Sequence, residues 1–439
     1  MAGGQNSKQG DKELVDSGQA FLKAFLDSAA KDGSPADFAE GSGISIGEAG
    51  VVEITEEVAK PLGRFVLRAA QVLGSAAGHE KAIYQTALNQ AHALISKAPF
   101  QSDSAKALIK AVFEQGQAHY KYVTPNHLYR LTPGVDEIKI GPVRALPTQE
   151  FSKERKAAYP DDRVEILPAS EFAFQFVGTK VVVHMYQTCW VVDVGAIAEN
   201  VEEEGKWLID VAVSYLRLCH KGWQGHFPDN GMVESHPTRV STRYKEGVKF
   251  DGSRALAGGH SLPTWYEIDA AAVATTADAK FISNAELIFA APKKGLAERV
   301  SQGLGWLTRG RQADERAERL LYFFTAIEAL LSNDDKTAPV VQTIARHGAV
   351  LLCNNNAQRA KIATQIKKLY SYRSALVHTG NRSILWSAAN ESQILVESML
   401  HRVLQNADLK ITHGSFCDSL SEASYGTAWP ASMAGERPS

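Results

Sequence analysis

An arginine and a histidine stand five positions apart near the end of the chain, in the stretch LYSYRSALVHTGNRS at residues 369–383. Arg373 carries a permanent charge on a planar guanidinium whose geometry matches the oxygens of a phosphate group. Histidine side chains titrate near neutral pH, so His378 is a candidate proton donor or acceptor. Together the two residue types indicate chemistry at a phosphate.

The chain around this pair is basic and free of acids. Residues 336–390 carry eight Lys or Arg and no Asp or Glu, whereas the whole chain of 439 residues has a formal net charge of −2. The positive residues are Lys336, Arg346, Arg359, Lys361, Lys367, Lys368, Arg373 and Arg382. A concentrated positive field attracts phosphate polyanions. The alternative is a solvated basic face that is balanced by the acidic runs SNDD at 332–335 and ADERAE at 313–318.

Arg373 continues an apolar stripe, because Ile362, Ile366 and Leu369 recur at i, i+4 and i+7 before it. An arginine on the buried side of a helix needs a partner. The preceding helix has Glu328 at the edge of its own apolar face, so a Glu328–Arg373 ion pair is predicted; the alternative is that Glu328 points to solvent. That apolar face consists of Leu320, Phe323, Phe324, Ile327, Leu330 and Leu331.

The spacing of Arg373 and His378 raises a geometric difficulty. Five residues of α-helix turn through about 500°, which leaves the two side chains about 140° apart. We therefore expect the helix to bend or end before His378, with Gly380 as the breaker, or two copies of the motif to meet across a dimer. The alternative is a structural role for His378, as a helix-end histidine that caps carbonyl groups.

Hydrophobic periodicity predicts an α+β protein with a helical N-terminal region, a β-containing middle domain and a C-terminal all-α helix bundle. The predicted boundaries are 1–124 for the helical region, 125–290 for the middle domain, 291–411 for the bundle and 412–439 for a disordered tail. The middle domain is assigned a sensor or regulatory role. Within the first region, Leu14, Phe21 and Phe25 fall on one helix face.

Alternating residues predict the strands of the middle domain, in the segments EFAFQFVG, TKVVVHMY and CWVVDVG. Phe172, Phe174 and Phe176 share one face of the first segment. We expect Phe172, Phe176, Trp190 and Trp207 to form the core of this domain; the alternative is a platform on which bases stack.

Several classes of protein are disfavoured. The four cysteines are far apart and form no CxxC motif, which fits a reducing cytoplasm. No secretory signal and no apolar run of membrane-spanning length occur, so a cytoplasmic protein without a membrane partner is predicted. Cys219, His220, His226 and His236 match no zinc pattern, and neither a metal nor another cofactor is expected.

The segment FFTAIEALLS, followed about forty residues later by IKKLYSYRSALVHTG, resembles the Apea-like branch of the HEPN superfamily. The residues that match the pattern are Ile327, Glu328, Leu330 and Leu331, then Tyr370, Arg373, Ser374, Val377, His378 and Gly380, with one extra residue between Ser374 and Val377. The resemblance covers about 296–406, and residues 1–290 resemble nothing familiar.

The resemblance implies an α-helical bundle that acts as a metal-independent endoribonuclease, often a toxin or an effector of prokaryotic anti-phage defence. Such domains usually work as dimers, so a homodimer or higher oligomer is expected, with RNA and a phage-derived or protein trigger as further partners. The alternative is a non-catalytic HEPN module that binds RNA or nucleotide, or only dimerises, as a scaffold or antitoxin.

The same resemblance assigns roles to individual residues. His378 would move protons and Arg373 would stabilise the charge of the phosphorane, while Glu328 would orient Arg373. Ser374 and Tyr370 would hydrogen-bond the phosphate or orient the histidine. The residues expected to bind the RNA backbone are Lys367, Lys368 and Arg382. Attack by the RNA 2′-OH would leave a 2′,3′-cyclic phosphate, and DNA would resist cleavage.

Overall fold

The computed structural model of this chain describes residues 3–31, 43–45, 51–74, 78–97, 103–116, 118–126, 128–161, 163–170, 172–220, 249–251, 254–256, 266–313, 315–332 and 339–430. The chain divides into two compact units. One consists of Met1–Tyr122 and Asp193–Gly205, and the other of Val123–Val192 and Lys206–Ser439. The predicted α+β class is confirmed, with a four-stranded sheet in the middle of the chain and a helical C-terminal region. The predicted domain boundaries remain predictions.

The first unit is built mainly from helices. They are α1 (Gly3–Lys31), α2 (Glu56–Leu73), α3 (Glu80–Lys97) and α4 (Ser104–Gly116), accompanied by the antiparallel strands β1 (Gly43–Ser45) and β2 (Val51–Glu53). Leu14, Phe21 and Phe25 of α1 are buried, as their spacing predicts. The ring of Phe21 stacks on that of Phe65 in α2 at 6.5 Å between centroids, so α1 and α2 share one apolar core.

The four-stranded sheet has the strand order β3-β10-β6-β5. Its strands are β3 (His119–Pro125), β5 (Ile138–Ile140), β6 (Val143–Pro147) and β10 (Thr188–Gly195). Strand β6 pairs antiparallel with both β5 and β10, and the division between the two units falls within β3 and β10. Trp190 of β10 is fully buried, with its ring 4.9 Å from that of Tyr129. The prediction that Trp190 is a core residue is therefore confirmed.

A second sheet of three strands has the order β7-β9-β8, with β7 (Val164–Pro168), β8 (Ala173–Val177) and β9 (Lys180–Met185). The expectation that Phe172 and Phe176 are core residues is wrong. Phe172, Phe174 and Phe176 are 42%, 60% and 82% exposed. The reason is that β8 is an edge strand paired only with β9, and no described element covers its phenylalanines.

Trp207 is half-buried and packs on the bundle rather than in the core of a sheet. It lies on α6 (Val201–Cys219). A Cβ added to Gly305 would lie 2.5 Å from the Trp207 ring, so the indole packs directly against the helix that carries Gly305.

The remaining elements of the second unit are short. The strands are β4 (Tyr129–Leu131), β11 (Lys249–Asp251), β12 (Arg254–Leu256) and β13 (Tyr266–Ile268), and the helices are α5 (Thr148–Ala158), α7 (Ala270–Thr276) and α8 (Ala279–Phe289). Strand β4 pairs in parallel with β13, and β11 pairs antiparallel with β12.

The predicted C-terminal bundle is present. Its helices are α9 (Leu296–Gln312), α10 (Arg316–Leu331), α11 (Val340–Leu352), α12 (Asn356–Thr379) and α13 (Trp386–Asn406). Helix α10 packs against α9 and α13, and α11 packs against α12. At Gly348 of α11, a Cβ would come within 2.8 Å of Ile366 on α12. The missing side chain allows these two helices to approach closely.

The prediction of a disordered tail from residue 412 is wrong for its first part. Residues His413–Ala423 form a further helix, α14. Its Phe416, Cys417 and Leu420 are fully buried, so α14 belongs to the packed bundle. The last residues of the predicted tail, 431–439, lie outside the described residues.

A buried carboxylate joins three helices of the second unit. Glu397 of α13 accepts hydrogen bonds from Arg311 of α9 and, at 3.4 Å, from Arg217 of α6. Burial and the positive charge of Arg311 lower the pKa of Arg217 to about 10. The bundle core therefore has ionic as well as apolar contacts with α6.

Replacing Phe416 by alanine tests whether α14 is part of the fold. Phe416 is fully buried, so Phe416→Ala should lower the free energy of unfolding by about 3 to 5 kcal/mol. The matched control is Phe176→Ala, which truncates a side chain that is 82% exposed and should change stability by less than about 0.5 kcal/mol. Urea denaturation of both variants measures the difference, and equal effects would contradict this packing.

Because the imidazole of His347 is buried, we predict that the free energy of unfolding falls in acid. The ring is fully buried on α11, with Nε2 2.9 Å from Oγ of Ser421 on α14. Burial, together with the charges of Arg346 and His413, lowers the pKa of His347 from 6.5 to about 4, although Asp418 opposes this. Because the unfolded chain binds this proton more readily, the free energy of unfolding should fall as the pH drops below 6.5, by on the order of 2 to 3 kcal/mol at about pH 4.5.

His347→Gln retains a hydrogen-bonding group opposite Ser421 but does not titrate. Urea denaturation at pH 7 and at about pH 4.5 should therefore show a smaller acid-induced loss in His347→Gln than in the wild type. The same loss in both proteins would assign the acid sensitivity to other groups.

Candidate active site

Helix α12 carries both Arg373 and His378 without interruption, so the expectation that it ends before His378 is wrong, whereas the prediction of Gly380 as the residue that ends it is confirmed. The helix begins after Asn355, whose side chain accepts a hydrogen bond from the N–H of Gln358. It ends at Gly380, which has a φ of +67° in the left-handed region that favours glycine. Because the helix is continuous to Thr379, Arg373 and His378 point about 140° apart around its axis.

The predicted ion pair between Arg373 and Glu328 is present. Arg373 Nη2 donates to Glu328 Oε2 at 2.9 Å, and the two side chains are 21% and 20% exposed. Ile366 and Leu369 of the same stripe are buried, and so are all six residues predicted for the apolar face of α10. The pair thus lies at the rim of the α10–α12 contact. The guanidinium is held in place by Glu328 and is still accessible to solvent.

Tyr370 completes a cluster with this pair. Its ring packs edge-on against Phe324 of α10 at 5.7 Å, and the Arg373 guanidinium lies 5.6 Å from the ring centroid. Burial raises the pKa of the Tyr370 hydroxyl, and the charge of Glu328 raises it further, while Arg373 lowers it. The hydroxyl therefore stays protonated at neutral pH, as a hydrogen-bond donor and not as a base.

His378 lies exposed in the last turn of α12. The carbonyl of Leu376 accepts a hydrogen bond from the N–H of Gly380 at 3.1 Å, and that of Ala375 accepts one from the N–H of Asn381 at 3.3 Å. The helix end is thus capped by backbone groups. The His378 ring has no hydrogen-bond partner among the residues that the structure describes, and the capping role considered for it is not observed.

The side chains of Tyr370 and Ser374 occupy the angle between Arg373 and His378. Ser374 precedes His378 by four residues and shares its face, whereas Tyr370 precedes Arg373 by three and stacks under its guanidinium. Within one chain, the cation and the imidazole thus flank a strip of hydroxyl groups. A phosphate beside either Arg373 or His378 would also lie next to a neutral hydroxyl donor of this strip.

The residues predicted to bind RNA differ in whether they form an ion pair within the chain. Lys367 and Lys368 are exposed and pair with no carboxylate in the described part of the chain. Arg382 pairs with Glu315 at the start of α10. The acidic run at 313–318 therefore supplies one counter-charge, as expected if the basic window is a solvated face balanced by acids. Most of the run at 332–335, together with Lys336, lies outside the described residues.

Two further arginines of the acid-free window, Arg346 and Arg359, have different environments in the structure. The sequence did not indicate that one is exposed and the other buried. Arg346 of α11 is exposed, without a carboxylate partner in the described ranges. Arg359 of α12 is 6% exposed and donates to the carbonyl oxygens of Cys353, Ala423 and Thr427. The sequence identifies both arginines as positive charges of the acid-free window. Helix periodicity did not predict that Arg359 contacts residues more than sixty positions away.

No group of three or more His, Cys, Asp or Glu side chains is arranged to hold a metal ion among the described residues. His226 and His236, which were considered with Cys219 and His220, lie outside those residues. None of the helices in the described ranges is long and apolar enough to span a lipid bilayer. Comparison with protein-family models, curated proteins and solved structures finds no match to this chain.

The Glu328–Arg373 pair should stabilise the bundle more than the exposed Arg382–Glu315 pair, whose side chains are 68% and 50% exposed. Water screens exposed pairs to about 0 to 1 kcal/mol, so the partly buried pair should have a coupling energy of about 1 kcal/mol and the exposed pair much less. Double-mutant cycles in urea measure both, with Glu328→Gln and Arg373→Gln in one cycle and Glu315→Gln and Arg382→Gln in the other. A larger coupling for the exposed pair would contradict this assignment.

Proposed function

We propose that the C-terminal bundle is a metal-independent endoribonuclease of the HEPN type, which cleaves RNA through its own 2′-OH and leaves a 2′,3′-cyclic phosphate. The observation that carries this proposal is the arrangement on α12. Glu328 holds Arg373 at an accessible position, while His378, five residues further on, is exposed and takes no part in capping the helix. His378 makes no hydrogen bond with a described residue that would explain it as a purely structural side chain, and Arg373 keeps part of its side chain exposed while it pairs with Glu328.

Each residue has a chemical role in this reaction. A base removes the proton of the 2′-OH, an acid protonates the 5′-oxygen that leaves, and positive charge stabilises the phosphorane. His378 carries the protons, and Arg373 binds the phosphorane oxygens through its forked donors. Tyr370 and Ser374 donate hydrogen bonds to the phosphate. The 2′-OH supplies the nucleophile, so the reaction proceeds without a metal and DNA is not cleaved.

The angle between Arg373 and His378 favours a site shared by two copies of the chain. On a continuous helix the two side chains diverge by about 140°, so a second α12 is needed to bring a histidine opposite an arginine. Val377, Leu385 and Trp386 are 49%, 60% and 43% exposed around the end of α12, and apolar surface of this kind is suited to a homodimer contact. The proposed enzyme is therefore a homodimer or a higher oligomer.

The biological setting that we propose is the cytoplasm of a prokaryote, where the enzyme acts in anti-phage defence or in toxin-like growth arrest. An unrestrained RNase would harm its own host. The residues before the bundle therefore have a sensory or regulatory role in this proposal, and a phage-derived or protein trigger releases the activity.

The second candidate function is a non-catalytic HEPN module that binds RNA or nucleotide, or that only dimerises, as a scaffold or antitoxin. The divergence of Arg373 and His378 within one chain favours it, because a single bundle does not place both groups on one face. Cleavage in vitro separates the two candidates.

The test is cleavage of a 5′-labelled RNA by the purified full-length protein in EDTA. The wild type should give fragments that end in 2′,3′-cyclic phosphate. His378→Ala should lower the rate by about 10²- to 10⁴-fold, and Arg373→Ala by about 10²- to 10³-fold. Thr379→Ala, in the same exposed turn, is the matched control and should cleave at the wild-type rate. Binding without cleavage would establish the second candidate instead.

Mixing the two inactive variants tests the shared site. If each site takes Arg373 from one copy and His378 from the other, a mixture of Arg373→Ala and His378→Ala forms heterodimers that hold one intact site, and about a quarter of the wild-type rate should return. A mixture that stays inactive, although subunit exchange is demonstrated by mass, would contradict the composite site.

A further inference from the structure

A groove between α11 and α12 is lined by several cationic side chains. It is a cavity of about 430 Å³, and its polar lining residues are Gln342, Thr343, Arg346, Arg359, Lys367 and Ser424. The other lining residues are Pro339, Ala349, Val350, Ala360 and Ala363, so the described residues that line the groove include no Asp or Glu. Three cations thus share a concave surface with hydroxyl and amide groups, which suits an anionic ligand.

The charge of Arg359 is not neutralised. Its guanidinium is 6% exposed and is held by the carbonyl oxygens of Cys353 at 2.6 Å and of Ala423 and Thr427 at 2.8 Å. Carbonyl groups satisfy its donors but carry no net charge, and arginine remains protonated even when it is buried. The groove therefore has a fixed positive charge beneath it, in a medium where electrostatic interactions are strong.

Arg346 and Lys367 add two exposed charges to the walls. Arg346 extends from α11 and Lys367 from α12, and neither forms an ion pair with a described residue. Arg373 and Arg382 differ from them, because each pairs with a carboxylate, Glu328 and Glu315 respectively. Among the described residues that line the groove, three are positively charged and none is negatively charged.

The groove leads to the proposed catalytic residues along one face of α12. Lys367, Ser371, Ser374 and His378 follow the spacing i, i+4, i+7 and i+11, which keeps them within about 60° around the helix. Lys367 and His378 are separated by about 16 Å of helix, a distance that a few nucleotides of single-stranded RNA span. The serines between them supply hydroxyl groups to a strand on that path.

We infer that the α11–α12 groove binds backbone phosphates of single-stranded RNA, a few nucleotides from the bond that is cleaved next to His378. The inference rests on the proposed ribonuclease for the identity of its ligand, and it adds a substrate-length requirement to that activity. Arg346 and Lys367 are the residues that contact phosphate, over the fixed charge of Arg359. Phosphate contacts position a strand without reading its sequence, so the groove selects length and not bases.

A series of RNA substrates of increasing length tests the inference. The substrates share one cleavable dinucleotide and are extended one nucleotide at a time on either side. The kcat/KM of the wild type should rise once the strand reaches the groove. Arg346→Ala and Lys367→Ala should abolish most of this rise in kcat/KM with substrate length. Lys361→Ala is the matched control, because Lys361 is an exposed lysine of the same helix that does not line the groove.

Equilibrium binding provides a measurement that does not depend on cleavage. With the His378→Ala protein as background, fluorescent single-stranded RNA should bind more weakly after Arg346→Ala or Lys367→Ala. Each lost phosphate contact should reduce the slope of log K against log salt by about 0.7. A 2′-deoxy strand of the same sequence should bind comparably, because the groove contacts phosphates. Arg346→Gln serves as a second variant if Arg346→Ala does not fold.

The outcomes separate this inference from the proposed function. If the wild type cleaves no RNA, the ribonuclease proposal fails, and a charge-dependent loss of binding still supports the groove. If the wild type cleaves RNA but Arg346→Ala and Lys367→Ala match Lys361→Ala at every length and in salt slope, the groove inference is overturned. Preferential binding to anionic vesicles or to a poly-glutamate peptide, with no binding to the RNA strand, would overturn it as well.

Discussion

The uninterrupted course of α12 is the constraint on which the site depends. A regular helix fixes the direction of every side chain by its position, so Ile366 and Leu369 face the core and carry Arg373 with them to the rim. The same regularity places His378 on a different face, together with Lys367. Gly380 ends the helix only after His378. One chain therefore presents a guanidinium and an imidazole on separate sides of one rod.

The counter-charges around α12 come from distant parts of the chain, and they decide what each cation does. Glu328 orients Arg373 at the rim, and Glu315 neutralises Arg382. Arg359 is bound by carbonyl oxygens instead, which satisfies its hydrogen bonds and leaves its charge in place. A basic segment that is uniform in sequence thus becomes, in three dimensions, one oriented arginine, one neutralised arginine and one positively charged groove.

In the middle region and in the C-terminal tail, the burial of aromatic side chains also depends on distant parts of the chain that pack against them. Phe176 and Trp190 both lie in strands with alternating residues, yet Phe176 is exposed on an edge strand while Trp190 packs against Tyr129. Alternation identifies which residues share a face, but it does not say whether another element covers that face. For Phe416, the small and polar residues around it suggested a frayed tail, whereas the surface offered by α11 and α9 buries one side of α14.

The sequence by itself determined the α+β order, the helices of the bundle and the contact between Glu328 and Arg373. These features follow from helix and strand periodicity, which is local and geometric, and from the need of a half-buried arginine for a carboxylate on the neighbouring helix. Only the tertiary structure decided which cations of the acid-free window pair with carboxylates and which aromatic residues are covered. Those outcomes depend on contacts between groups far apart in the chain, such as Arg359 and the carbonyl of Ala423. No local sequence pattern predicts such contacts.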